Sequence, residues 1–287
     1  MRVVIAGGAG QLARGIRETW SGHDLLFPLE SELDLSRRET VLGVIRELQP
    51  QVVINAAAFT QVDRCEVEPE LATLINGTAV GWLAEACNKS NALLVQISTD
   101  YVFDGQGTRP YLETDSVAPQ SVYGQSKLLG ERAAAQAKDH LIIRTAWLYE
   151  AWGKNFFLTM VNAARQGRDL RVVDDQVGSP TSCRALARQL QIAVKEGWRG
   201  LVHGTCSGEI TWHGFASEIF QQTGIEAKLS PCNTSEYPLP APRPAYSVLD
   251  GKHRGELGSD LMPPWKDALS EVVQTWRALN CATDPKG

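Results

Sequence analysis

Val3-Val4-Ile5-Ala6-Gly7-Gly8-Ala9-Gly10-Gln11-Leu12-Ala13 decides the fold. The apolar run reads as a buried strand, and the G-x-x-G-x-x-A loop after it opens a helix. Gly7 and Gly10 permit a tight turn and let the backbone approach a pyrophosphate, which then sits on the free N–H groups at the helix N-terminus. Glycine turns join strands to helices in many proteins. Its place in the first strand-to-helix turn is what points this one to a dinucleotide.

The same alternation continues outward. Leu25-Leu26-Phe27-Pro28-Leu29, Val52-Val53-Ile54, Leu93 to Ile97 and Leu141-Ile142-Ile143 read as strands separated by segments of helical period, with later strands at Leu170 to Val173 and Leu201 to His203. Such alternation is the mark of βαβ units around a parallel sheet. Ser36 followed by Glu39 predicts a capping box, and Ser121 predicts the cap of a helix beginning near Tyr123. After about residue 205 the pattern loosens into a helix Phe215 to Thr223, a Pro-rich stretch Tyr237 to Pro244 and a final helix around Trp265 to Leu279. The expected architecture is α/β: a Rossmann-type doubly wound parallel sheet with a smaller C-terminal substrate-binding lobe. Residues 1–149 with 170–204 form the expected dinucleotide-binding domain, and 150–169 with 205–287 the lobe.

The 287 residues are 43% hydrophobic and 21% charged, an ordinary globular balance that excludes disordered and collagen-like chains. A net charge of -5 argues against nucleic acid or an anionic membrane as partner. No run is long enough to span a membrane and no signal-peptide layout precedes the first strand, so a cytoplasmic protein is expected. Cys65, Cys87, Cys183, Cys206, Cys232 and Cys281 lack C-x-x-C spacing and read as reduced thiols. His203 and His213 read as hydrogen-bonded structural residues rather than metal ligands.

Glu30 closes the second strand about 20 residues after the glycine loop, where an acid accepts hydrogen bonds from adenosine ribose hydroxyls; its alternative is a solvated loop carboxylate. A carboxylate there repels a 2′-phosphate, so NADH is expected to serve at least as well as NADPH. Asp34 contacts the adenine side or helps start the next helix. The small residues of Asn55-Ala56-Ala57-Ala58-Phe59-Thr60 leave room for a flat cofactor at the sheet's carboxyl edge.

Chemistry concentrates in Ser98-Thr99-Asp100-Tyr101-Val102-Phe103 and Tyr123-Gly124-Gln125-Ser126-Lys127. Spacing of i and i+4 puts Tyr123 and Lys127 on one helical face. A tyrosine titrates near 10, and an adjacent ammonium favours its ionised form, so Lys127 is expected to bring Tyr123 toward useful acid strength. Thr99, at a strand's carboxyl end, is placed to hydrogen-bond the same substrate oxygen. Together they make a carbonyl-polarising and protonating site beside a nicotinamide. Trp147 follows another strand's carboxyl end, where ligands bind in this architecture. Arg243 either clamps a diphosphate bidentately or is a surface arginine stiffened by prolines.

With these motifs in place, Asn55 to Asp63, Glu66-Val-Glu-Pro-Glu70, Ser98 to Asp104, Arg144 to Tyr149, Asp175-Gln-Val-Gly-Ser-Pro-Thr181 and Pro242 to Ser247 give a chain that resembles the extended short-chain dehydrogenase/reductase family, in its dTDP-4-dehydrorhamnose reductase branch. The resemblance covers nearly the whole chain. It implies NADH- or NADPH-dependent reduction of the C4 ketone of dTDP-4-dehydro-L-rhamnose, with Tyr123 as proton donor, Lys127 as its partner and ribose ligand, and Thr99 as a tuning hydrogen bonder. It implies that Gly10, Gln11, Leu12, Glu30, Asp34, Leu35, Ala58, Phe59, Thr60 and Ile97 line the cofactor, and that Thr99, Asp100 and Trp147 meet the dTDP-sugar. Two other readings share the residues: reduction of another nucleotide-linked 4-keto-6-deoxy sugar, and a non-catalytic NAD(P)-binding regulatory subunit resembling that of methionine adenosyltransferase. The intact Thr99, Tyr123 and Lys127 favour catalysis. The chain departs from the pattern at Ala13, which replaces the third glycine. It departs again at Arg14-Gly15-Ile16, where some members carry an acid for an intersubunit Mg2+, so no metal ligand is assigned, Mg2+ is not expected, and monomer and homodimer both stay open.

Overall fold

The structure, a computed structural model, describes residues 1–281. Strand β1 (Arg2–Ala6) runs through the glycine turn into helix α1 (Gln11–Thr19), whose Leu12, Ala13, Gly15 and Ile16 are buried on one side. Strand β2 (Asp24–Leu26), helix α2 (Arg38–Leu48) and strand β3 (Val52–Asn55) follow. Helices α3 (Val62–Val67) and α4 (Pro69–Thr73), a π-helical turn (Leu74–Thr78) and α5 (Ala79–Ser90) return the chain to β4 (Leu93–Thr99). After a 3-10 turn at Asp100–Val102 come α6 (Val122–Ala134) and β5 (His140–Thr145). The short strands β6 (Leu148–Tyr149), β8 (Val177–Gly178) and β9 (Thr181–Ser182) are interleaved with α7 (Phe156–Arg165) and β7 (Asp169–Val173), ahead of α8 (Cys183–Lys195) and β10 (Gly200–His203). Strand β11 (Ile210–Thr211), α9 (Trp212–Thr223), β12 (Lys228–Cys232), α10 (Lys252–Glu256) and α11 (Trp265–Cys281) complete the described chain.

Six strands form one parallel sheet in the order β10-β5-β4-β3-β1-β2. From β1 the chain steps out to β2 and then crosses back to β3, so connections diverge on either side of the β1–β3 pair. A crevice for ligands opens at the carboxyl ends of such strands. One face of the sheet is covered through Ile16, Trp20, Leu186 and Leu190 of the α1 and α8 side, the other through Ile45, Val80 and Leu83 of the α2 and α5 side. Burial on both faces is why the strands read as unbroken apolar runs.

A third cluster, with Phe157, Phe215, Leu269 and Trp276, packs α7, α9 and α11 together. Strand β7 pairs with β12, outside the six-stranded sheet, and its Leu170 and Val172 pack in this cluster. Residues 282–287 of the expected lobe lie outside the described residues. Strand β2 ends at Leu26, short of the expected Leu29, because Pro28 has no N–H for the ladder. The capping box at Ser36 does not form. Helix α2 starts at Arg38 without a side-chain cap, and the Ser36 N–H and hydroxyl both donate to Asp34 Oδ1, at 2.8 and 2.6 Å. An aspartate turn of this kind competes with helix capping for the same donors. Ser121 does cap α6, accepting from the Gly124 N–H at 3.1 Å. His203 is fully buried edge-on against Phe103, with its backbone N–H donating to Glu113 Oε1 at 2.9 Å and its carbonyl accepting from Arg254 Nη1 at 2.6 Å; burial first, and the nearby Arg144 guanidinium second, push its pKa down to about 3. All six cysteines are free thiols. No described helix is long and apolar enough to cross a membrane.

Helix α6 is tied to the sheet by Glu131, which accepts from Arg144 Nε and Nη2 at 2.8 and 2.7 Å and from Ser98 Oγ at 2.6 Å. The paired side chains are 4% and 7% exposed. Arg144→Met strands a buried carboxylate and is expected to lower the unfolding free energy by about 3–5 kcal/mol in urea titrations, while Glu131→Leu with Arg144→Met recovers a large part of that loss. Equal losses in the single and double variants would show that the charge pairing is not what Arg144 contributes.

Candidate active site

At the carboxyl end of β1 the backbone turns at Gly7 with φ +79°, and a Cβ there would lie 2.8 Å from Ala57 Cα. Only glycine adopts that conformation freely while letting the turn lie against the chain leaving β3. Gly10 then starts α1 with no side-chain cap. A bare helix N-terminus beside a turn too tight for any side chain fits a dinucleotide pyrophosphate. Leu12 is buried in the core, so its side chain packs under the sheet and only its backbone faces the turn. Gln11 bridges to the lobe: its Nε2 donates to the Leu148 carbonyl at 3.3 Å and its Oε1 accepts from Asn155 Nδ2 at 3.2 Å. Glu30 is exposed beyond β2, Asp34 is occupied in the turn before α2, and Leu35 is buried beside it. Ala58, Phe59 and Thr60 form the chain leaving β3, and Phe59 packs against Tyr123 of α6.

Tyr123 and Lys127 are both buried on one face of α6, as their spacing predicts. Tyr123 packs with Phe59, Cys65 and Ala72 and meets the Tyr101 ring edge-on at 5.4 Å. Burial pushes its phenol well above the usual range, the Thr99 hydroxyl draws it down, and the Asp100 carboxylate adds to the rise. Lys127 Nζ donates to the Ile97 carbonyl of β4 at 2.7 Å, and burial lowers the lysine's own pKa to about 8 against the opposing pull of Glu131. An i, i+4 spacing sets the shared face but not where the ammonium finds its acceptor.

Thr99 Oγ1 donates to Asp100 Oδ1 at 2.9 Å and accepts from the Tyr101 N–H at 3.2 Å. Asp100 is 3% exposed; burial raises its carboxyl pKa to about 6, against the pull of the Ser247 and Thr99 hydroxyls that hydrogen-bond it. Trp147, at φ +49°, stacks on Trp212 with ring centroids 3.5 Å apart. Arg243 is neither a free clamp nor a loose surface arginine. Its Nη2 meets Asp63 Oδ2 at 2.8 Å, and Asp63 Oδ1 accepts from the Ala241 N–H at 3.1 Å, so the Pro-rich segment is latched onto α3.

Asp63 and Trp212 therefore belong to the site's surroundings although neither stood out as functional in the sequence; each is recruited from a separate element, which spacing does not report. Among the described residues no group of three or more His, Cys, Asp or Glu is arranged to hold a metal. Arg14, early in α1, pairs with Glu18 at 2.9 Å and lies over the Trp152 ring.

The family described as RmlD substrate binding domain matches residues 1–278. A dTDP-4-dehydrorhamnose reductase of Burkholderia thailandensis is 37% identical over 293 residues, covering 96% of this chain and 98% of its own. A solved dTDP-4-dehydrorhamnose reductase from Clostridium acetobutylicum is similar with a TM-score of 0.94 and 42% identity, over 96% of this chain and 100% of that one. The Bacillus anthracis enzyme of the same name, solved in complex with NADP, gives a TM-score of 0.93 and 33% identity, over 96% of this chain and 99% of that one. With matches that run nearly end to end and the glycine turn, Thr99, Tyr123 and Lys127 gathered at one sheet edge, this chain belongs to the RmlD substrate binding domain family.

Proposed function

We propose that this protein reduces the C4 ketone of dTDP-4-dehydro-L-rhamnose to dTDP-L-rhamnose, with NADH or NADPH as reductant, in the cytoplasm. The observation that carries the reading is the meeting of Tyr123, Thr99 and Asp100 at the carboxyl edge of the sheet, one strand from the β1–β3 crevice. Near full-length likeness to reductases of that substrate supports it.

When bound, the nicotinamide supplies the hydride. The chain's own part is to position the sugar and manage the proton. Tyr123 keeps its proton at neutral pH because its buried site disfavours the phenolate, so it begins as an acid and protonates the C4 oxygen as negative charge develops there. The Thr99 hydroxyl rotates to share that oxygen. Asp100 meets a sugar hydroxyl, and Trp147, held flat by Trp212, covers the sugar nucleotide. Lys127 holds the cofactor ribose. Arg243 reaches the diphosphate by exchanging Asp63 for it.

A turnover assay with dTDP-4-dehydro-L-rhamnose, following nicotinamide absorbance, tests the activity directly; no consumption of either reduced cofactor refutes it. Tyr123→Phe is expected to reduce kcat by about 10²-fold or more with cofactor affinity unchanged, and near-normal turnover in that variant would remove Tyr123 from the role of acid.

Because its folded-state pKa lies below that of a free lysine, Lys127 is charged below about 8 and neutral above it. A kcat/KM for cofactor that depends on the ammonium is therefore present on the acid side and lost as pH rises through about 8. Lys127→Met should be impaired throughout and lack this limb. The same limb at the same pH in the variant assigns the titration to another group.

A further inference from the structure

Gln11, the first residue of α1, is joined to the stretch Leu148 to Asn155, far along the chain. Its Nε2 donates to the Leu148 carbonyl at 3.3 Å, its Oε1 accepts from Asn155 Nδ2 at 3.2 Å, and its backbone carbonyl accepts from Trp152 Nε1 at 3.2 Å. The stretch is shaped around this residue. Gly153 turns with φ +79°, and a Cβ there would lie 3.3 Å from Gln11 Cβ. Asn155 is 9% exposed; its Oδ1 caps α7 by accepting from the Leu158 N–H at 3.1 Å, and its Nδ2 also donates to the Glu150 and Trp152 carbonyls at 2.9 and 2.8 Å. The Trp152 ring has the guanidiniums of Arg14 and Arg184 over it, at 4.3 and 5.0 Å.

We propose that the Gln11 side chain is a strut between the glycine turn and the Trp147 wall: its backbone serves the cofactor, while its amide sets Trp147 through Leu148, so that cofactor and sugar nucleotide each tighten the binding of the other. The inference rests on the functional reading above, which gives the turn to the cofactor and Trp147 to the sugar nucleotide. On one side, α1 begins at Gln11 without a side-chain cap, so its first N–H groups stay open to an anion. On the other, the carbonyl that Gln11 Nε2 holds belongs to the residue next to Trp147. The three bonds lie at the long end of the ordinary range, so the link gains from a constraint at either end. An anion on the first turn of α1 fixes the Gln11 backbone and with it the direction from which the amide reaches Leu148. The order this gives to the Trp147 segment then need not be supplied again when the sugar nucleotide binds. Such coupling is reciprocal by thermodynamic necessity.

Gln11→Met keeps the length of the side chain and removes its hydrogen bonds. Asn155→Ser keeps a cap for α7 and removes the donor to Gln11. For wild type and both variants, calorimetry gives the dissociation constants of NADP+, of dTDP-L-rhamnose, and of dTDP-L-rhamnose with saturating NADP+. Wild-type protein is expected to bind the sugar nucleotide about fivefold or more tightly with NADP+ present, and each variant to bind it within about twofold of its value without NADP+. NADP+ alone is expected to bind all three within about twofold, because the backbone N–H groups that meet the pyrophosphate are unchanged. If Gln11→Met does not fold, Asn155→Ser decides. Wild-type coupling in either folded variant, with a change confined to Tm, overturns the proposal and leaves Gln11 a purely structural link. Loss of NADP+ binding in Gln11→Met overturns it too, by making the side chain a direct cofactor ligand. Wild-type protein that binds neither compound overturns the functional reading and this inference together, whereas an active wild type that binds the two independently overturns this inference alone.

Discussion

The carboxylate of Glu131 holds helix α6, which carries Tyr123 and Lys127, in place. It lies behind the cleft, away from water, and takes two N–H groups from Arg144 on β5 and the hydroxyl of Ser98 on β4. A buried charge is tolerable only when paired and hydrogen-bonded, so this arrangement has one low-energy geometry. Because Glu131, Lys127 and Tyr123 recur along one face of α6, fixing the first orients the other two. The same carboxylate also opposes the loss of charge that burial imposes on Lys127. Arg144 is braced further by the Phe103 ring beneath its guanidinium, at 5.0 Å.

The opposite wall of the cleft is built on weaker terms. Arg243 and Asp63 are 15% and 38% exposed, and an ion pair open to solvent to that degree holds a segment without locking it. The contrast is one of anchoring: α6 is held by a buried ion pair, while the Pro-rich segment is held to α3 by one open to solvent. Trp147 belongs to the rigid side. Its ring is sandwiched flat against Trp212, and the left-handed backbone at Trp147 is strain that the surrounding packing sustains.

Much of this was legible before any coordinates. The glycine turn after Val3 to Ala6, the strand ending at Thr99, the Ser121 cap and the Tyr123/Lys127 spacing are local features whose physics acts over one or two turns of chain. The readings that failed did so where a local rule had a competitor. Ser36 had the hydroxyl for a helix cap, but Asp34 two residues earlier offered a charged acceptor and took it. Leu170 to Val173 had the composition of a sheet strand, but periodicity does not name the partner, and β12 was the one available.

By itself the sequence determined the alternation of strand and helix, the burial of both faces of the sheet, and the shared face of Tyr123 and Lys127, because each is written in periods of two and 3.6 residues or in the conformational demands of glycine. Only the tertiary structure decided the partnerships: Glu131 with Arg144, Gln11 with Leu148, Arg243 with Asp63, Trp147 with Trp212. Hydrogen bonds and ring stacking between separate elements depend on where the chain returns to in space, and residue spacing carries no record of that return.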